Sequence, residues 1–157
     1  MSTTTNPLSA TQRGPLIDPR GPRFGAAITT VVLAGVLVTS SFWLLAGQTV
    51  VFGLGAMVGL WAQPYGIFYR RLVRPRLGAP RELEEAAPAR FAQAVGLVFA
   101  VVGLTGYLGG VPTLGTVAVA LALAAAFLNA AFDFCLGCEM YLIGRRLRAG
   151  WGSRAGQ

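Results

Sequence analysis

This sequence predicts an all-α membrane protein: a four-transmembrane-helix bundle made of two antiparallel hairpins, with both termini cytoplasmic. Three observations carry that expectation. Hydrophobic residues make up 54% of the 157 and charged residues only 12%, too little polar surface to coat an ordinary soluble domain. Four apolar stretches approach the roughly 20 helical residues that a hydrocarbon core of ~30 Å requires. All 13 positive charges are arginines, and they lie outside the interiors of those stretches.

Taken in order, residues 1–23 form a polar N-terminal segment. A lead this long, followed by a stretch longer than a signal core and without a small-residue cleavage site, argues against a secretory signal. The membrane domain then runs over residues 24–148, with spans expected near 24–46, 50–69, 91–108 and 114–134. Residues 47–49 and 109–113 join the spans in pairs; both links are short and uncharged and read as hairpin turns. Residues 70–90 form a loop between the hairpins, and residues 149–157 a flexible tail. Within the loop, Glu82, Glu84 and Glu85 between two prolines are expected to form one or two helical turns.

Small residues recur where helices have to approach closely in lipid. Gly55-xxx-Gly59 marks one face of the second span, Gly96, Ala100 and Gly103 mark the third, and the fourth is alanine-rich. Trp61, Tyr65, Phe68 and Tyr69 cluster at one end of the second span with Pro64 among them, the pattern of an interfacial aromatic belt beside a proline kink.

Charge sets the orientation. Arg13, Arg20 and Arg23 precede the first span, six arginines fill the central loop, four follow the fourth span, and the short links carry none. By the positive-inside rule the termini and the central loop face the cytoplasm, so the chain is expected to be a multi-pass protein of the cytoplasmic (inner) membrane. A net charge of +7 raises the question of nucleic acid, but the arginines flank apolar runs instead of interleaving with aromatics, so nucleic-acid binding is not expected. No P-loop, dinucleotide-binding glycine pattern or Ser-His-Asp set is present, and the chain has no histidine. No cofactor is expected.

The motif that asks for chemistry is Cys135-Leu136-Gly137-Cys138, which holds both cysteines of the chain. Placed at the cytoplasmic end of the fourth span, the pair is expected to be held reduced, without a permanent structural disulfide. A metal site on Cys135 and Cys138 needs a partner or a dimer to complete its ligands, because two thiolates leave zinc short of four. Asp133 is a candidate supporting carboxylate. It shares a helical face with Asn129, and a carboxylate near hydrocarbon calls for a partner such as Arg20, Arg23 or Arg70. In an unbroken helix Asp133 points away from the cysteines. If the chain breaks near Phe132, Asp133 caps a new helix whose first turns hold Cys135 and Cys138, where the helix dipole favours thiolate. The sequence leaves both arrangements open.

The chain resembles the bacterial integral-membrane family known as domain of unknown function 4395. The likeness rests on the segment from Ile17 to Phe24 that contains Asp18-Pro19-Arg20, on Arg74-Pro75-Arg76-Leu77, on Ala87-Pro88-Ala89-Arg90, and on the cysteine motif with Glu139-Met140-Tyr141. It covers residues 16–148. The family carries no assigned activity; the resemblance implies a thiol or sulfur context, through relatives encoded near thioredoxin-like proteins and sulfurtransferases. The leading reading is therefore a thiol redox or sulfur-relay component working with such a partner. Cys135 or Cys138 attacks a partner disulfide or persulfide and the other cysteine resolves the intermediate, the N-terminal one being the usual attacker. The alternatives are a small transport or channel subunit and a structural membrane protein without chemistry of its own. A homo-oligomer is compatible with all three.

Overall fold

The computed structural model describes residues 14–80 and 82–154, and side chains up to residue 148. Arg13, Arg81 and residues 155–157 of the expected tail lie outside the described residues. Within them the chain is almost wholly helical, in accord with an all-α fold.

A two-residue strand β1 (Leu16–Ile17) leads into α1 (Arg20–Thr39). The side chain of Asp18 accepts the backbone N–H of Arg20 at 3.0 Å, satisfying one donor of the first turn. The first span therefore begins at Arg20, not at residue 24, and it ends at Thr39, not at residue 46. The Ser40-Ser41 pair makes the turn: Ser40 takes a left-handed conformation (φ 50°), and the Ser41 hydroxyl accepts the N–H of Leu44 at 3.4 Å as the cap of α2 (Phe42–Gly53). Hydropathy reads straight through such a turn because its flanks are apolar.

The expected second span is not one helix over residues 50–69. α2 continues through a π-helical turn, Leu54–Val58, and stops at Gly59 (φ 130°), a conformation that a side chain would strain. The 17 helical residues rise about 25 Å, short of a full hydrocarbon core. Three helices, not four, are thus long and apolar enough to cross a membrane: α1, α5 (Ala86–Leu108) and α6 (Pro112–Phe132). Gly55 and Gly59 consequently do not form one packing face. Past the break, Pro64 starts the short helix α3 (Pro64–Phe68) at its first turn instead of kinking a long one. A second π-helical turn, Tyr69–Val73, joins it to α4 (Arg74–Leu77). The expected helical turn at the glutamates is instead a strand β2 (Glu84–Glu85), paired antiparallel with β1.

The four apolar helices pack around a core of Leu33, Val36, Leu45, Phe52, Ala100, Val119 and Ala122. α1 lies against α2 and α6, and α5 against α2 and α6. Val31, Val38, Val98, Val117 and Leu121 point outward from the long helices, the surface a lipid environment calls for. α5 and α6 meet backbone to backbone: a Cβ added at Gly106 would stand 2.5 Å from the Gly115 nitrogen.

Gln48, expected in a turn, is instead fully buried in the middle of α2. Its amide nitrogen donates to the Thr29 hydroxyl at 3.3 Å, and its oxygen accepts the Tyr65 hydroxyl at 2.8 Å. Gln63 donates to Gln93 at 3.0 Å. Arg90 donates to the carbonyls of Ala56 and Met57 at 3.0 and 3.2 Å, closing groups that the end of α2 leaves open. Outside the long helices, burial and the hydrogen bond donated to Asp18 at 3.1 Å raise the pKa of the Tyr69 phenol, so it remains a donor at neutral pH.

Gln48→Leu strands the Thr29 and Tyr65 hydroxyls and should destabilise the bundle by about 1–2 kcal/mol. Unfolding in detergent measures it, and wild-type stability in this variant would contradict the buried polar link.

Candidate functional site

α6 ends at Phe132, and Asp133 turns the chain in a left-handed conformation (φ 58°). The N–H groups of Asp133 and Phe134 return to the carbonyls of Asn129 and Leu128 at 3.2 and 3.3 Å. A new helix, α7, runs from Leu136 to Arg154. Of the two arrangements the sequence left open, the broken one is present, with a correction to its cap. Asp133 closes the preceding helix, and Cys135 occupies the cap position of α7: its carbonyl accepts the Glu139 N–H at 3.0 Å and its sulfur accepts the Cys138 N–H at 3.3 Å.

The two cysteines stand with Cα atoms 5.2 Å apart and sulfurs at disulfide distance. The pair, expected to be held reduced, is placed where its sulfurs can close as a disulfide. Cys135 thus keeps its sulfur at the N-terminus of a 19-residue helix, where the unpaired N–H groups and the helix dipole favour negative charge. Gly137 sets where that helix lies. A Cβ there would stand 2.6 Å from the Cα of Ala92, so the first turn of α7 rests on the backbone of α5.

Asp133 stands 3.6 Å from Arg23 and is largely exposed, and Arg23 also donates to the Ala130 carbonyl at 3.2 Å. Of the arginines considered, Arg23 is its partner. Arg70 donates to the Trp61 carbonyl, and Arg20 to that of Leu77. No hydrogen bond links Asp133 to either sulfur among the described residues, which leaves it the turn and the ion pair.

Both cysteines line an outer cavity of about 420 Å³ together with Asn129, Asp133, Glu139, Glu84 and Glu85. The chain break brings Asn129 and Asp133 to the same cavity as the cysteines, where an unbroken helix would hold them apart. The β1–β2 pair lies over it, and Arg145 donates to Glu85 at 3.2 Å, tying α7 to that roof. Two of the four carboxylates therefore have an arginine at hand. The expected aromatic belt is also structural: Phe24 stacks on Phe68 with centroids 6.0 Å apart, while Tyr65 and Tyr69 spend their hydroxyls on Gln48 and Asp18.

A family model matches residues 17–146, which include every residue that lines the two cavities beside the cysteines. The chain belongs to the family described as a domain of unknown function, DUF4395. No curated protein and no solved structure matches it. In this DUF4395 chain no group of three or more Cys, Asp or Glu among the described residues is placed to hold a metal ion. Sequence reasoning missed Gly137 as a contact residue and Arg145 as the tie to Glu85. The cysteine motif itself contains the first, since a glycine inside it is a ready point of close approach.

Gly137→Val should lift the first turn of α7 from α5 and slow closure of the cysteine pair in a glutathione buffer by tenfold or more, with the helical content of the bundle retained. Free-thiol titration over time measures it, and wild-type closure rates would show that the Ala92 contact does not position the pair.

Proposed function

We propose that this DUF4395 protein is a membrane-embedded thiol–disulfide exchange component that works with a soluble thioredoxin-like or sulfurtransferase partner. The observation that carries the reading is the Cys138 N–H donated to the Cys135 sulfur at the start of α7, in a pair lining an open cavity. A sulfur held this way leaves readily as thiolate, because a sulfur whose negative charge is stabilised is the better leaving group.

The geometry supports a division of roles. A partner thiolate attacks the Cys138 sulfur of the closed pair, the S–S bond breaks, and Cys135 departs as thiolate. A second partner thiolate then attacks its own sulfur in the mixed disulfide. The partner leaves oxidised and the pair is left reduced, holding the two electrons. With a reduced partner, Cys138 is the cysteine bonded to that partner, because Cys135 is the better leaving group.

Orientation belongs to the same proposal. The start of α1 meets the end of α6 through Arg23, and the start of α5 meets the end of α2 through Arg90. The described arginines therefore gather at the end of the bundle that bears the cysteines. By the positive-inside rule that end, with both termini, faces the cytoplasm of the bacterial inner membrane, where a soluble partner reaches the outer cavity.

The experiment is partner trapping in intact cells. Cys135→Ser and Cys138→Ser each remove the cysteine that would resolve the intermediate, so the remaining sulfur should accumulate a mixed disulfide with a thioredoxin-like protein or a sulfurtransferase. Failure of both single variants to capture such a partner, with the protein at wild-type levels, contradicts the reading.

A further inference from the structure

Cys135 borders two cavities. Besides the outer one, it lines a second, inner cavity of about 300 Å³ formed by residues of α1, α2, α5, α6 and the first turns of α7 and bordered by the exposed side chains of Leu121 and Met140. Cys138 lines the outer cavity alone, whereas Cys135 lines both. The lining of the inner cavity is mostly apolar and includes the rings of Phe52 and Phe99 and the small side chains of Ala125 and Ala126. Into this apolar space come two side-chain amides. Gln93 uses its oxygen to accept from Gln63, which leaves its amide N–H groups to donate, and Asn129 lines both cavities.

We propose that the inner cavity binds the head group of a membrane quinone, which exchanges two electrons with the cysteine pair through Cys135. This rests on the thiol-exchange reading of the same pair and names where its electrons go. A pair that partners leave reduced has to pass on two electrons before it can act again. The acceptor that fits this cavity is apolar, planar and soluble in the bilayer, with acceptor oxygens at its rim. Flat rings pack against Phe52 and Phe99, and ring carbonyls accept from amide donors of the Gln93 and Asn129 kind. A cavity of this volume lies at the lower end of the range for small-molecule sites, the size for a head group with its tail left in lipid.

The chemistry balances without a further reactant. The Cys135 thiolate adds to the quinone ring, forming an S–C bond. The Cys138 thiolate attacks the Cys135 sulfur, the S–S bond forms, and the S–C bond breaks with its electron pair passing to the ring. The two protons the thiols held end on the two ring oxygens, so dithiol and quinone become disulfide and hydroquinone.

The test uses the full-length chain in lipid nanodiscs, reduced and freed of reductant under anaerobic conditions, with decylubiquinone as the probe. Quinone absorbance and free-thiol titre should fall together, one quinone per cysteine pair. Ala126→Phe, and independently Ala125→Leu, narrow the inner cavity without touching either cysteine. Each should slow oxidation by the quinone at least tenfold while exchange with thioredoxin and closure by diamide keep wild-type rates. No quinone consumption by a wild-type protein that still exchanges with thioredoxin overturns this proposal alone. Equal quinone rates in both narrowed variants overturn it as well, by placing the reaction outside the inner cavity. A wild-type pair inert to thioredoxin and diamide overturns the thiol-exchange reading and this inference together.

Discussion

The contact between Gly137 and Ala92 is the constraint on which the cysteine site depends. α7 has to leave the bundle at Asp133 and yet keep its first turn against α5, and only a residue without a Cβ lets the two backbones meet at that distance. Once seated, the turn has its orientation set: one side rests on α5, where Tyr141 also meets Phe91 with centroids 5.8 Å apart. Another side carries Cys138 and Leu142 to the outer cavity. Cys135, one residue ahead of the helix, is left between the outer and inner cavities with its sulfur on a backbone donor. The position of the two cysteines is therefore set by helix placement as much as by the motif itself.

The same end of the bundle is held by groups that water would otherwise serve. A helix that stops inside or near lipid exposes carbonyls with nothing to bond. Here arginines take that part, Arg90 at the end of α2 and Arg23 at the end of α6, and their charge remains at the rim. Deeper in, Gln48 ties α1, α2 and the aromatic segment past the break through Thr29 and Tyr65. The polar residues that look expensive in the sequence are thus the ones that let α2 be short and the chain bend twice near the site.

Much of this was legible in the amino-acid order. The apolar runs located α5 and α6 to within a few residues, because their ends carry proline, glycine or charge. The cysteine motif marks the site, and the residues just before it pose the choice between a broken and an unbroken helix. The first hairpin was not legible. Ser40-Ser41 is a weak turn signal between apolar flanks, while Gly47, Gln48 and Thr49 form a stronger one that tertiary packing overrides, since Gln48 finds both its partners inside the bundle. Asp133 as a left-handed helix end and Cys135 as a cap were equally hidden: a short carboxylate and a thiol compete for that cap, and the contact of Gly137 with α5, a long-range effect, decides the register.

The most direct measurement is the rate at which iodoacetamide alkylates each cysteine of the reduced full-length protein in detergent, followed site by site across pH. With the Cys135 sulfur held by the α7 N-terminus, it should react at least tenfold faster than Cys138 at pH 7. The difference should shrink as pH passes the ordinary thiol pKa of about 8.5 and both become thiolates. Equal rates at pH 7, or a preference for Cys138 that persists at high pH, would contradict a pair primed by its place at the start of α7.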